Sequence, residues 1–151
     1  MKRVLPFIAI ISIAAFAGNM INIGLSYGVH WKSLKSIEFM EVFAIDFPLL
    51  LAPTAATLLP AFISTLILFF ISKKNSSTKK YWFYSLMSLL VINVITVAYF
   101  LPLNLDFVNQ KIVPLEVEGK LNSWLIFHWL RIILAICSAV FAIKALKKII
   151  K

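Results

Sequence analysis

Apolar residues run along this chain in four long blocks, and nearly all of the charge lies outside them, in the three stretches between the blocks and at the two chain ends. Val4 to Tyr27, Phe47 to Ser72 and Tyr81 to Leu103 hold no charged side chain, and Trp124 to Ile143 holds one, Arg131. Each block reaches the roughly 20 apolar residues that an α-helix needs to cross a hydrocarbon core. The blocks predict four transmembrane helices at about 4–27, 47–72, 81–103 and 124–143. Gly28 to Asp46, Lys73 to Lys80 and Asn104 to Ser123 read as water-facing loops. The expected fold is an all-α membrane protein, a four-transmembrane-helix bundle making one integral membrane domain over residues 1–151.

Composition excludes the soluble alternative. With 62% hydrophobic and 14% charged residues in 151, the chain has more apolar side chain than a soluble domain of its length can bury. Charge then sets the orientation, because Lys and Arg are retained on the cytoplasmic side while acids count for little. Lys2, Arg3, Lys73, Lys74, Lys79, Lys80, Lys144, Lys147, Lys148 and Lys151 have no acidic residue among them. Glu38, Glu41, Asp46, Asp106, Glu116 and Glu118 all lie in or at the edges of the other two loops. Both termini are therefore expected inside (N-in/C-in), in a multi-pass protein of a bacterial inner or plasma membrane. The net charge of +9 is split among three cytoplasmic edges. That split points to anionic lipid headgroups at the cytoplasmic face and to no nucleic acid.

The first block also resembles a secretory signal, with Lys2-Arg3, an apolar core and Ala15-Phe16-Ala17 as a small-residue cleavage site. Its apolar run continues through Met20, Ile21, Ile23 and Leu25, so an uncleaved helix is expected. Cys137, the single cysteine, is expected to be a buried apolar filler in helix four. Pro53 and Pro60 each remove a backbone hydrogen bond inside helix two and predict a kink, with Thr54, Thr57 and Ser64 placed to satisfy the freed carbonyls. Asn93 is expected to bond across to a neighbouring helix.

Polar residues inside the spans carry the functional signal, because each costs free energy unless it faces protein or water. Trp124, His128 and Arg131 stand at i, i+4 and i+7 and so share one face near the outer end of helix four. An arginine at a helix centre costs about 2.5–3.5 kcal/mol on insertion scales, so Arg131 is expected to face inward with a partner. Candidate partners at the same depth are Asn19 and Asn22 on helix one, His30 just beyond it, Asp46 at the start of helix two and Asn104 at the end of helix three. Together they describe a polar pocket toward the outer leaflet. Arg131 paired with Asp46 as a purely structural ion pair is the competing reading. No metal site is predicted, because two histidines without a third ligand at a metal-binding spacing are weak evidence; haem or a metal on His128 or His30 stays open.

Leu101-Pro102-Leu103-Asn104, followed by Trp124, His128-Trp129-Leu130-Arg131 and an apolar helix, resembles the pattern of the anthrone oxygenase-like family of small four-helix membrane proteins, largely a domain of unknown function. The match is position by position at Asn104, Trp124, His128 and Arg131 and departs at Trp31, where the family pattern has a proline. The resemblance implies an oxygenase without a cofactor acting on a phenolic or anthrone-like molecule. In that chemistry His128 takes the substrate proton, Arg131 and Asn104 hold the resulting oxyanion, and Trp124 stacks on the ring. Asn19, Asn22, Asp46 and His30 would complete the ligand site. The alternative is a non-catalytic membrane protein whose cluster binds a small aromatic or quinone-like ligand or a lipid, or only holds the bundle together.

Overall fold

A computed structural model describes residues 4–74 and 76–150. Among the described residues the regular structure is entirely helical and groups into four long helices. They are α1 (Leu5–Ser33), α2 (Ser36–Ile71), α3 (Ser77–Val108) and α4 (Pro114–Ile150), each long and apolar enough to cross a membrane. Lys2, Arg3 and Lys151, which carry part of the charge asymmetry, lie outside the described residues. Neighbours in sequence pack together and α1 also packs on α4, closing an up-down-up-down ring. We call the end holding the α2–α3 turn and both chain ends proximal, and the end holding the other two corners distal.

All four helices overrun the predicted spans. At 1.5 Å per residue they are roughly 44 to 56 Å long, against a hydrocarbon core of about 30 Å. Most of 28–46 and 104–123, expected as loops, is helix; only Leu34–Lys35 and residues 109–113 interrupt it at the distal end. The reason is apolar residues hidden among the charges. Trp31, Phe39, Met40 and Phe43, and on the other side Phe107, Val117 and Leu121, recur at helical spacing and are all buried. Local chemistry fixes the ends. Glu38 and Glu116 sit in the first turns of α2 and α4, where negative charge suits the helix dipole. Ser76 caps α3 by accepting from the Lys79 N–H. Gln110 reverses the chain after α3 with φ of 52°.

Outward faces are apolar on every helix: Ile11, Ile45, Val97 and Ile126 are each about two-thirds exposed. Inside the proximal half, Ala135, Ala142 and Ala145 of α4 are fully buried, and the Ser85 and Ser138 hydroxyls bond between α3 and α4 at 2.8 Å. Small residues let the two backbones approach closely. Three expectations need correction here. Cys137 is exposed on the outward face of α4. Asn93 donates to the Leu89 carbonyl of its own helix at 2.8 Å, the local bond to the carbonyl one turn back that short polar side chains make in place of a longer-range one. Thr57 and Ser64 of α2, which stays helical through Pro48, Pro53 and Pro60, bond to the carbonyls of Pro53 and Pro60 rather than to those the prolines free.

Two helices change pitch. Ile23–Tyr27 in α1 and Thr96–Phe100 in α3 are π-helical turns, each taking up one residue more than an α-turn. Such turns rotate everything beyond them and loosen the regular carbonyl ladder.

Candidate functional site

Between the π-turns and the distal corners the four helices part around a cavity of about 80 Å³. Aromatic rings form most of its wall: Trp31 from α1, Phe43 and Phe47 from α2, Phe100 from α3 and Trp124 from α4. These rings belong to one cluster, with Trp31 edge-on to Trp124 at 5.5 Å and Phe100 edge-on to Trp124 at 5.2 Å. The polar lining comes from Thr54, Thr96, Asn104 and Arg131. Leu51 and Leu101 also line it, and they are 50% and 42% exposed on the apolar outside of α2 and α3. These leucines carry the lining to the apolar exterior where α2 and α3 meet.

Arg131 sits half-way along α4, which extends past the predicted span at both ends. It is 5% exposed and faces inward, as expected from the sequence. Its Nη2 donates to His128 Nδ1 at 2.9 Å and its Nη1 to the Thr96 hydroxyl at 3.3 Å. The guanidinium lies over the Phe100 ring, 3.5 Å from its centre, a cation–π contact worth about 2 kcal/mol when desolvated. Its Nε has no hydrogen-bond partner. Among the described residues the one ion pair is the exposed Lys120–Glu116 contact at 3.9 Å, and no acid lines the cavity. A buried cation without a counter-ion costs several kcal/mol.

His128 is fully buried beneath Trp124, the two rings stacked 4.8 Å apart. Its Nε2 lies 2.8 Å from the Met20 carbonyl oxygen. A carbonyl only accepts and a guanidinium only donates, so the imidazole is neutral, with its proton on Nε2 and its Nδ1 lone pair turned to Arg131. Both ring nitrogens are thus engaged by protein. Gly24, in the first π-turn, makes room for this: a Cβ there would stand 3.3 Å from the His128 ring.

Of the residues expected at the site, Asn104, Trp124 and Arg131 line the cavity, and His128 lies behind them. Asn104 accepts from the Trp124 indole at 2.8 Å, tying α3 to α4. The partner expected for Arg131 is not among those named. Asp46 instead accepts from the Trp31 indole at 2.9 Å, and Arg131 is met by Thr96 and His128, the latter one turn before it on its own helix. Asn19 donates to the Thr54 hydroxyl at 3.0 Å, linking α1 to α2. Asn22 faces outward and accepts from Ser26. His30 is exposed, so the two histidines do not converge. Among the described residues no group of three His, Cys, Asp or Glu side chains is placed to hold a metal.

Sequence reasoning missed Trp31, Phe43, Thr96, Phe100 and the Met20 carbonyl. Phe43 and Trp31 lay in a presumed loop, though large aromatics at helical spacing among charges were a usable signal. Thr96 and Phe100 had none beyond their distance from Asn104, and a main-chain oxygen has none at all. No family model, no curated protein and no solved structure matches the chain.

Proposed function

We propose that this chain is a multi-pass protein of a bacterial-type plasma membrane, N-in/C-in, that binds a small molecule with an apolar body, taken in from the bilayer. One observation carries this reading: the cavity has Arg131 in its wall and two outward-facing leucines, Leu51 and Leu101, at its mouth. A water-soluble ligand has no use for a sideways mouth on an apolar surface, whereas a lipid-dissolved one does. The paired lysines at 73–74, 79–80 and 147–148 rest on anionic headgroups in this orientation.

Mass spectrometry of the intact protein, purified in mild detergent, tests the reading. A non-covalent adduct of low mass is expected on the wild type and its loss on Leu51→Trp plus Leu101→Trp, which blocks the mouth. A protein that carries no adduct and binds no added amphiphile saturably rejects it. Orientation is checked separately with single cysteines at Ser77 and Glu118 in a Cys137→Ala background. Labelling of both from the same side rejects N-in/C-in.

The oxygenase reading is favoured by one specific observation, the convergence of Asn104, Trp124 and Arg131 on a single cavity with His128 directly behind them. It asks two things of this geometry. His128 has to release Arg131 or Met20 before it accepts a proton. The walls also have to part, since about 80 Å³ is below the roughly 300 Å³ of a drug-sized pocket. Dioxygen uptake with phenolic and anthrone substrates, lost in His128→Gln, is the expected result of that reading. Full rate in His128→Gln rejects the proton-acceptor role.

A further inference from the structure

The polar groups facing the cavity are nearly all donors. Asn104 spends its oxygen on the Trp124 indole, which leaves its amide N–H groups to the cavity. Thr96 gives its proton to the Ile92 carbonyl and its oxygen to Arg131. Thr54 spends its oxygen on Asn19. Arg131 has five N–H donors, two of them committed, and the free ones include Nε, a buried atom with no partner. A lining of unspent donors around an unneutralised cation calls for an acceptor-only, negatively charged group.

Size and access narrow the class. The cavity is about 80 Å³, roughly half the 150 Å³ that accommodates a benzene ring. It holds a compact planar head, not a ring system or a glycerol phosphate. A guanidinium edge presents parallel N–H groups matched to the two oxygens of a carboxylate. The mouth at Leu51 and Leu101 then leads an attached chain out between α2 and α3.

We propose that the cavity takes the carboxylate of a long-chain amphiphile, a free fatty acid or a compound built like one, with its oxygens on Arg131 and Asn104 and its chain passing out over Leu51 and Leu101. This rests on the lipid-fed binding site proposed above and names the ligand class for it.

The test uses the whole chain in lipid nanodiscs, carrying Trp129→Phe to remove the outward-facing indole. The probe is an octadecanoic acid bearing bromine near its carboxyl end, which quenches indole fluorescence on contact. Trp31 and Trp124 line the site, so saturable quenching is expected. The brominated alcohol of the same chain is expected to bind about ten-fold or more weakly, the loss of one charge-assisted pair. In Arg131→Gln the acid should fall to within about two-fold of the alcohol, and Arg131→Lys should retain a preference for the acid. Equal binding of acid and alcohol to the wild type overturns the proposal, as does an acid preference that survives Arg131→Gln. Displacement of the acid by an anionic phospholipid as effectively as by unlabelled acid overturns it too, since the head would then be too large for the cavity. Saturable binding of the alcohol without preference for the acid leaves the lipid-fed site standing and removes only the carboxylate. Absence of saturable quenching by either probe removes both. Should Arg131→Gln fail to fold, judged by helical circular dichroism and monodisperse elution, the wild-type ratio and Arg131→Lys decide the matter.

Discussion

The two halves of the bundle solve the same packing problem in opposite ways. Proximally, α3 and α4 close on Ala135, Ala142, Ala145 and the Ser85–Ser138 pair, with Trp82 and Leu89 fully buried beside them. Distally, large rings hold the helices apart around a cavity, with a buried arginine in its wall and an engaged histidine behind it. Each half leaves buried polar atoms without a partner, but of different kinds. The Thr65 hydroxyl and the Trp82 indole are neutral, whereas Arg131 Nε belongs to a cation. An unmet neutral group costs about 1–3 kcal/mol, and a charged one costs more. The proximal half is what a bundle needs in order to be a bundle. The distal half adds a charge and a void that packing alone does not call for, and such a departure from economical packing is where function is to be sought.

The largest effect on that contrast is expected from Trp124→Ala. Trp124 stacks on His128, meets Trp31 and Phe100 edge-on and bonds Asn104, so its loss should cost about 3–5 kcal/mol in reversible unfolding in detergent. A loss below about 1 kcal/mol would mean that the distal half is not held by its rings. Ala142→Leu strikes the other half by overfilling a fully buried position and should cost about 1–3 kcal/mol. Ligand binding in the distal cavity should be unchanged in that variant; a change would couple halves that the packing keeps apart. Ser85→Ala should show the smallest effect, about 0.6 kcal/mol, the average for a hydrogen bond between membrane helices. A double-mutant cycle with Ser138→Ala isolates that bond, and a coupling near zero would leave the proximal half to packing alone.

The proximal half was the more legible of the two. Apolar blocks holding at most one charge locate all four helices, and the inward turn of Arg131 follows from the cost of exposing it to hydrocarbon. The site's finer geometry was hidden for three physical reasons. Helix ends were drawn where charge begins, but Trp31, Phe39 and Phe43 keep their helix faces buried among charged neighbours. Grouping Asn19, Asn22 and His30 at one site assumed one uninterrupted pitch along helix one. The face of α1 that is buried runs through Phe16, Ala17 and Met20, which leaves Asn22 outside, and the π-turn from Ile23 then re-aims everything beyond it. Finally, Arg131 is met by a threonine, a ring face and a histidine on its own helix. Such partners carry no opposite charge to search for in a sequence.

The proposed entry between α2 and α3 sets the units in which any ligand must be counted. An occupant arriving over Leu51 and Leu101 comes from a two-dimensional reservoir, so occupancy follows its mole fraction in the membrane rather than its aqueous concentration. A sparingly soluble compound, dilute in water, is concentrated there in proportion to its partitioning, at about 0.8 kcal/mol for each buried methylene. Doubling the lipid at fixed ligand should therefore weaken apparent binding about two-fold. Competition for the site is then competition among membrane components, and the composition of the surrounding bilayer becomes part of the binding equilibrium.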